Sequence, residues 1–271
     1  MTRRTAPFGR RAAAVSAREQ HGAYIVIRCA DTGGPRPRPG QFYMLTAAER
    51  WGGGDGERPF LPRAFSVLRA GPRPDGVELQ FLIEDVGPGT RRLTELGAGD
   101  ELLLVGPLGN GFTPPREGRA PLLVGGGVGI APLAIWQDEL EGNATTLLGF
   151  RDQAHAHGAA LLAGSSIATD DGSVGHHGLV TELLGDELDA RGEEVEVYAC
   201  GPPAMLEAVR ERCSHHDVPA QLALESGMAC GFGACFGCVV PTTSGYIRLC
   251  VDGPVLDAAM LETAAVAGAG H

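Results

Sequence analysis

Short apolar runs, separated by Gly and Pro clusters, dominate the chain up to about residue 114. These runs are rich in β-branched and aromatic residues, which is typical of short strands joined by turns. They lie at Ala23–Cys29, Gln41–Thr46, Ala64–Leu68, Val77–Ile83 and Glu101–Val105. About six such strands in a segment of this length predict a small antiparallel β-barrel.

The pattern changes after about residue 118, where apolar strands alternate with helical periodicity. Strands are predicted at Ala120–Val124, Thr145–Phe150 and Glu194–Cys200, and helices at Pro132–Glu141 and Pro203–Cys213. This alternation predicts a parallel, doubly wound α/β sheet. The remaining segment is Gly-rich and carries four cysteines between residues 230 and 250. It is too small for a core of its own, so we expect a metal centre to organise it.

The fold class is therefore predicted as α+β multidomain, with three parts. Residues 1–116 form the β-barrel, residues 117–220 the α/β domain, and residues 221–271 a small metal-binding segment.

Charge and apolar runs exclude some classes of function. The net charge of −11 argues against nucleic acid as a partner, because phosphate contacts need a basic face. All 22 basic residues are Arg, so anionic ligands must be held by Arg, backbone N–H groups or helix N-termini. The most apolar stretch, Leu122–Trp136, is too short to span a membrane.

The N-terminus and the cysteine content indicate where in the cell the protein is located. Met1–Val15 is basic with no long apolar run after it, so we expect a frayed tail and not a signal peptide. The expected location is cytoplasmic, where thiols stay reduced. The seven cysteines then indicate metal binding, redox chemistry or burial, and burial is the interpretation for Cys29 and Cys213.

The C-terminal cysteines have the spacing C-x4-C-x2-C…C, formed by Cys230, Cys235, Cys238 and Cys250. This is the ligand pattern of plant-type [2Fe–2S] clusters. The alternative is a structural zinc site. Structural zinc usually takes two C-x2-C-like pairs, and here only Cys235 and Cys238 form one.

Two turns in the α/β segment are candidates for nucleotide binding. The first contains Gly125, Gly126, Gly127 and Gly129, whose N–H groups would approach a pyrophosphate at a helix start. The second is Cys200-Gly201-Pro202, at the carboxyl end of a strand, where open α/β sheets bind ligands. Cys200 would face a nicotinamide. The alternatives are a tight turn without a ligand and a buried strand-end cysteine.

Two motifs in the barrel segment are candidates for flavin binding. The first is Arg63-Ala64-Phe65-Ser66, in which Arg63 would pair with a diphosphate, Phe65 would pack on a ring and Ser66 would hydrogen-bond a flavin edge. The second is Leu82-Ile83-Glu84 with the following turn at Gly89 and Thr90, which would cradle a phosphate oxygen. Taken alone, an arginine such as Arg63 would more often be a solvated surface residue.

Together and in this order, the motifs resemble those of the ferredoxin-reductase superfamily. RAFS is similar to its flavin motif R-x-[YF]-S, GGGVGIAP to its nucleotide turn and CGPPAM to its nicotinamide-side motif. A narrower resemblance covers residues 22 to 256 and is to the electron transfer subunits of type 1B dihydroorotate dehydrogenase. Its most specific parts are Gly106–Phe112 (GPLGNGF) and the four cysteines. Ala64, where the family often has Pro, and the insertion Arg50–Pro59 depart from the pattern.

The resemblance implies cofactors, a partner and a route. FAD would lie on the barrel, at Arg63–Ser66, Leu82–Glu84 and Gly89–Thr90. NAD would lie on the second domain, and a [2Fe–2S] cluster on the four cysteines. An FMN-containing catalytic subunit would oxidise dihydroorotate, in pyrimidine biosynthesis, within a heterotetramer. Electrons would pass singly through the cluster to FAD, which gives a hydride to NAD⁺. This chain would then hold no general acid or base, and Glu225 would lie near the flavin.

Two other readings remain open. One is the small subunit of a ferredoxin:NAD(P) transhydrogenase or sulfhydrogenase. The other is a zinc-stabilised, non-redox binding protein on a reductase-like fold.

The residues after the second strand of the α/β segment bear on the choice between NAD and NADP. Asp152 would accept from an adenosine ribose hydroxyl, whereas Arg151 would favour a 2′-phosphate, and the resemblance favours NAD. Six histidines are expected to be solvated and not to form a metal site: His155, His157, His176, His177, His215 and His216.

Overall fold

The computed structural model describes residues 9–52 and 59–266, so most of the Arg50–Pro59 insertion lies outside the described residues. The first unit is a closed antiparallel barrel with the strand order β1-β2-β5-β4-β3-β6. Its strands are β1 (Arg11–His21), β2 (Tyr24–Thr32), β3 (Phe42–Ala47), β4 (Arg63–Arg73), β5 (Gly76–Glu84) and β6 (Glu101–Leu108). Helix α1 (Pro88–Thr94) connects β5 to β6. The predicted barrel is confirmed.

Strand β1 corrects the expectation of a frayed N-terminal tail. It pairs with β2 and β6, and the side chains of Ala13 and Val15 are buried in the barrel. Arg11 donates two hydrogen bonds of 2.7 Å to the carboxylate of Asp31, which is fully buried. A buried carboxylate needs such a partner, so Arg11 serves the barrel interior. Residues 1–8 lie outside the described residues.

The second unit is a seven-stranded sheet with the order β10-β9-β8-β7-β11-β12-β15. All of its pairings are parallel except that between β12 and β15, so the predicted doubly wound sheet is confirmed. Its strands are β7 (Ala120–Gly126), β8 (Thr145–Phe150), β9 (Ser165–Thr169), β10 (His176–His177), β11 (Val195–Cys200), β12 (Ala220–Ala223) and β15 (Val255–Asp257). Its helices are α2 (Ile130–Glu139), α3 (Gln153–Ala156), α4 (Val180–Arg191) and α5 (Pro203–His215).

Helix α2 joins the two units. It packs against barrel strand β4 on one side and against β7 and β11 of its own sheet on the other. Every residue from Ile130 to Gln137 is therefore buried, although an ordinary surface helix buries only one face. Ile135 belongs to the barrel core, and Leu133 and Trp136 pack in a cluster that includes Tyr24 and Leu82 of the barrel.

The C-terminal segment shares the core of the sheet. Strand β12 crosses the boundary predicted at residues 220 and 221, and β15 adds to the same sheet. Between them lie the hairpin β13 (Val239–Thr242) and β14 (Gly245–Arg248) and the short helix α6 (Leu249–Asp252). Cys238, Val240, Leu249 and Cys250 pack in the same buried cluster as the sheet strands. None of the described helices is long and apolar enough to cross a bilayer.

Candidate functional site

A cavity of about 660 Å³ lies where the barrel, the α/β unit and the C-terminal segment meet. This volume is in the range of small-molecule and cofactor sites. The barrel contributes the strand start Arg63–Ser66, Leu82, Glu84 and the turn Gly87–Thr90. The α/β unit contributes Val128, Gly129, Ala131 and Cys200, and the C-terminal segment contributes residues 224–229.

The two predicted phosphate-binding elements of the barrel meet at Arg63. Its guanidinium donates to the carbonyl of Leu61 at 2.7 Å. A Cβ atom on residue 89 would lie 2.7 Å from Arg63 Nε, so a larger residue there would displace the guanidinium from the turn. The guanidinium and the Gly89 turn therefore lie side by side at the cavity wall, as a diphosphate site requires.

Leu82 and Glu84 face the cavity, whereas the side chain of Ile83 lies in the barrel core. This follows from the alternation of side chains along a strand. Thr90 Oγ1 accepts hydrogen bonds from the N–H groups of Val86 and Gly87, at 2.9 and 3.0 Å. Thr90 therefore holds its own turn in shape, and the predicted contact of the Gly89–Thr90 turn with a phosphate oxygen stays a prediction.

The two predicted turns of the α/β unit pack against each other. Strands β7 and β11 are neighbours, so their carboxyl ends meet at one edge of the sheet. A Cβ atom on residue 129 would lie 2.5 Å from the carbonyl oxygen of Cys200 and 2.6 Å from Gly201 Cα. Glycine at position 129 is therefore required by the packing of the two turns, besides any ligand. Gly125 and Gly126 end β7, Gly127 has φ of 55°, and Pro202 precedes α5.

The expectation that His155 is solvated is wrong. Its side chain is only 13% exposed and lies 2.7 Å from Asp152 and 3.2 Å from Glu84. Arg151 also donates to Glu84, at 2.5 Å. This cluster connects strand β5 of the barrel to the loop after β8, because the His155 imidazole lies between the carboxylates of Glu84 and Asp152. The sequence did not indicate it, since Glu84 and Arg151 are far apart along the chain.

Sequence reasoning missed two features near the site. Asp170 and Asp171 follow strand β9, and the N–H of Asp171 donates to the carbonyl of Arg151 at 3.2 Å. These acids therefore lie beside Asp152 at the carboxyl edge of the sheet, and the Asp-Asp-Gly turn was the signal available in the sequence.

The second missed feature is Ser226, which lines the cavity and whose hydroxyl is buried without a hydrogen-bond partner among the described residues. An orphaned hydroxyl at the cavity wall fits the polar edge of a flavin.

Cys200 and Glu225 both line the cavity. Burial raises the pKa of the Cys200 thiol, and the nearby carboxylate of Glu225 raises it further. Burial also raises the pKa of Glu225, and none of the ion pairs among the described residues includes it. The pair provides a neutral thiol beside a carboxyl group that holds its proton more strongly than an ordinary Glu.

The Glu225→Gln variant is expected to be more stable than the wild-type apoprotein at pH 8 and equally stable at pH 4. The folded state binds the Glu225 proton more tightly than the unfolded state, so wild-type stability falls as pH rises through the folded-state pKa. Glutamine removes that dependence. Urea unfolding across this pH range measures it, with Glu211→Gln on the exposed side of α5 as the control. Parallel pH profiles for wild type and Glu225→Gln would contradict the prediction.

The four predicted cluster ligands lie together as two pairs. Cys238 and Cys250 are buried, with their Sγ atoms 3.2 Å apart. Cys230 is half-buried and Cys235 is exposed, and the N–H of Cys235 donates to Cys230 Sγ at 3.5 Å. Among residues 9–52 and 59–266, no three His, Cys, Asp or Glu side chains converge closely enough to hold a single metal ion. A half-buried and exposed pair beside a buried pair of thiols is a donor set that a [2Fe–2S] cluster could take.

Backbone N–H groups of the cysteine loop favour the thiolate form of Cys230. Burial raises the pKa of the Cys230 thiol, but the N–H groups of Cys235, Phe232 and Ala234 outweigh it and lower the pKa to about 6. Gly237 N–H donates to Cys235 Sγ at 3.4 Å, and Cys250 N–H to Cys238 Sγ at 3.5 Å. Such N–H···S bonds are those that second-shell groups make to iron–sulfur ligands. The residues present therefore fit a [2Fe–2S] cluster.

The shared cavity and the reductase-like pair of domains define an oxidoreductase of the ferredoxin-reductase class, extended by an iron–sulfur segment. Residues 225–262 match the family model of the iron-sulfur cluster binding domain of dihydroorotate dehydrogenase B. The chain is 37% identical over 221 residues to the dihydroorotate dehydrogenase B (NAD(+)) electron transfer subunit of Clostridium acetobutylicum, covering 80% of this chain and 83% of that one. It is 39% identical to the subunit of the same description from Geobacillus thermodenitrificans, covering 81% and 85%. The chain belongs to this family of electron transfer subunits.

Comparison with solved structures supports the same fold class. A chain of the NADH-dependent reduced ferredoxin-NADP oxidoreductase, described for flavin-based electron bifurcation, matches with a TM-score of 0.76 and 25% identity. That match covers 93% of this chain and 90% of the other. A ferredoxin NADP⁺ reductase from Neisseria gonorrhoeae matches with a TM-score of 0.59 and 19% identity, over 76% and 91%, and shows the fold alone.

Proposed function

We propose that this chain is the electron transfer subunit of an NAD-linked dihydroorotate dehydrogenase. An FMN-containing catalytic subunit oxidises dihydroorotate, and this chain passes the electrons to NAD⁺. The observation that carries the proposal is the continuity of the cysteine loop with the cavity. Met228 and Ala229 line the cavity, and the first cysteine ligand, Cys230, follows directly. A cluster on this loop would therefore lie beside a flavin bound in the cavity.

The bound groups supply the redox chemistry: the cluster carries single electrons, FAD exchanges one or two, and NAD⁺ accepts a hydride. The chain binds and orients them. Arg63 and the Gly89 turn would hold the FAD diphosphate, and Ser66 and Ser226 would bond the flavin edge. The N–H groups of Gly125–Gly129 would hold the NAD pyrophosphate at the start of α2. Cys200 would cover the nicotinamide side of the cavity.

The chain divides into three proposed functional units. We propose residues 1–116 as the FAD-binding unit, 117–220 as the NAD-binding unit and 221–271 as the cluster-binding segment, although β12 and β15 make the last two one sheet. The proposed location is the cytoplasm, where the seven thiols stay reduced.

The catalytic subunit would dock on the cluster segment. Four large apolar side chains there are exposed: Phe232 (44%), Phe236 (62%), Val239 (36%) and Tyr246 (79%). Exposed apolar patches of this kind mark protein–protein contacts. The exposed ligand Cys235 lies within this segment, so docking would bring the cluster close to the partner's flavin. We propose a heterotetramer with two copies of each subunit, which light scattering of the purified complex tests.

NAD is the proposed coenzyme, in preference to NADP. Arg151 would favour a 2′-phosphate, but Glu84 already binds it. Asp152, Asp170 and Asp171 make the same edge acidic, which disfavours a second phosphate and suits a ribose hydroxyl.

One experiment separates this function from the two other readings. Co-expression with the candidate catalytic subunit should yield a complex with flavin bands and a broad iron–sulfur absorption that reduces NAD⁺ when dihydroorotate is added. A glutamate-synthase-like or hydrogenase partner would instead indicate the transhydrogenase or sulfhydrogenase reading. A colourless protein with one bound zinc would refute electron transfer altogether.

A further inference from the structure

Arg248 connects the cysteine loop to the strand that carries the fourth cysteine. It ends β14, two residues before Cys250. Its guanidinium Nη1–H donates to the carbonyl of Gly233 at 2.9 Å. The same guanidinium lies over the ring of Phe236, 5.1 Å from the ring centroid, which is the geometry of a cation–π contact. One side chain thus touches the loop at two points between Cys230 and Cys238.

The peptide that Arg248 contacts belongs to the loop that holds the cysteine sulfurs. Gly233 lies between Cys230 and Cys235, and the N–H of Cys235 donates to Cys230 Sγ at 3.5 Å. The strand end that carries Arg248 leads to Cys250, whose Sγ lies 3.2 Å from Cys238 Sγ. The positive charge of Arg248 is therefore held against the cysteine loop by its own hydrogen bond and by its place in the chain.

The loop is held closely enough for this arrangement to be specific. Gly233 has φ of 89°, in the left-handed region, and a Cβ atom there would lie 2.6 Å from Val251 Cγ2. The backbone N–H of Arg248 is in turn held by Asp252 Oδ2 at 3.1 Å. Both partners of the Arg248–Gly233 bond are thus fixed by their own neighbours.

We infer that Arg248 raises the reduction potential of the cluster by holding its positive charge against the cysteine loop, at Gly233 and Phe236. Reduction adds one electron to the cluster and makes or breaks no bond. The added negative charge is stabilised by the nearby cation, and the net charge around a cluster is one of the terms that tune its potential. The inference rests on the proposed function only in requiring a cluster on the four cysteines.

The test is a redox titration of the purified holoprotein, following the cluster by electron paramagnetic resonance and the flavin by absorbance. At a fixed applied potential, Arg248→Gln is expected to lower the ratio of reduced to oxidised cluster by about tenfold, which is about 59 mV for a one-electron couple. Arg248→Lys keeps the charge, so its ratio of reduced to oxidised cluster is expected to lie between those of the wild type and Arg248→Gln. Arg73→Gln, an exposed arginine of the β4–β5 hairpin, makes the same charge change away from the loop and is expected to match the wild type. The flavin potential should stay constant throughout.

An unchanged cluster ratio in Arg248→Gln with full iron content overturns the inference. If Arg248→Gln fails to retain iron, Phe236→Leu decides, because it uncovers the guanidinium to water and leaves Arg248 in place. A ratio lowered about two- to threefold then supports the inference, since screening weakens the cation, and an unchanged ratio overturns it. Absence of any cluster signal in the wild type would instead refute the proposed function.

Discussion

The Cys235→Ser variant is expected to keep its FAD and to lose electron transfer from dihydroorotate to NAD⁺. Cys235 is an exposed cysteine of the loop, and it is not among the residues that line the cavity between barrel and sheet. Removing this ligand therefore disrupts the cluster and leaves the flavin site intact. Transfer should fall by about 100-fold or more, because the group that carries single electrons is lost. Reduction of an artificial acceptor by NADH, which needs only FAD and NAD, should remain near the wild-type rate.

Iron and sulfide content, flavin content and both activities of the purified complex measure this outcome. Cys213→Ser is the control, since Cys213 is a buried cysteine of α5 that lies outside the cysteine loop. It should retain the cluster and transfer. Full transfer in Cys235→Ser would break the proposed route, and loss of FAD from Cys235→Ser would show that the two sites are not independent.

The Arg63→Gln variant is expected to bind FAD about 10- to 100-fold more weakly. Hydrogen bonds to a charged group contribute about 1.5–3 kcal/mol, and each 1.4 kcal/mol is about tenfold in affinity. Arg63 is already held against the Gly89 turn by its bond to the Leu61 carbonyl, so little order is lost when the diphosphate binds. Arg63→Lys should be intermediate, because an ammonium group cannot make the paired contacts of a guanidinium.

Titration of the apoprotein with FAD, followed by flavin fluorescence, measures the dissociation constant. Riboflavin, which lacks the diphosphate, should bind Arg63→Gln and wild type equally. Arg73→Gln controls for the loss of one positive charge on the barrel. The same FAD affinity in Arg63→Gln and wild type would place the diphosphate elsewhere.

The predictable parts of this protein were those encoded over short stretches. The barrel and the parallel sheet follow from local alternation and periodicity, and both are confirmed by the structure. The burial of Cys29 and Cys213 was likewise predicted and is observed. Strand β1 was missed because its apolar positions are mostly small alanines, and because the role of Arg11 depends on Asp31 of another strand. His155 was misread for the same reason, since its burial depends on Glu84 of the barrel.

By itself, the sequence determined the likeness to a family, and it predicted Cys230, Cys235, Cys238 and Cys250 as cluster ligands, because spacing within one loop constrains which residues can share a cluster. Only the tertiary structure decided which cysteines lie together and that Glu84 forms an ion pair with Arg151. It also decided that Ser226 lines the cavity and that Arg248 donates a hydrogen bond to the Gly233 carbonyl. Apart from the cysteine loop, these contacts join elements that are distant along the chain or cross between units. Their geometry follows from how the barrel, the sheet and the hairpin pack, and no local pattern encodes it.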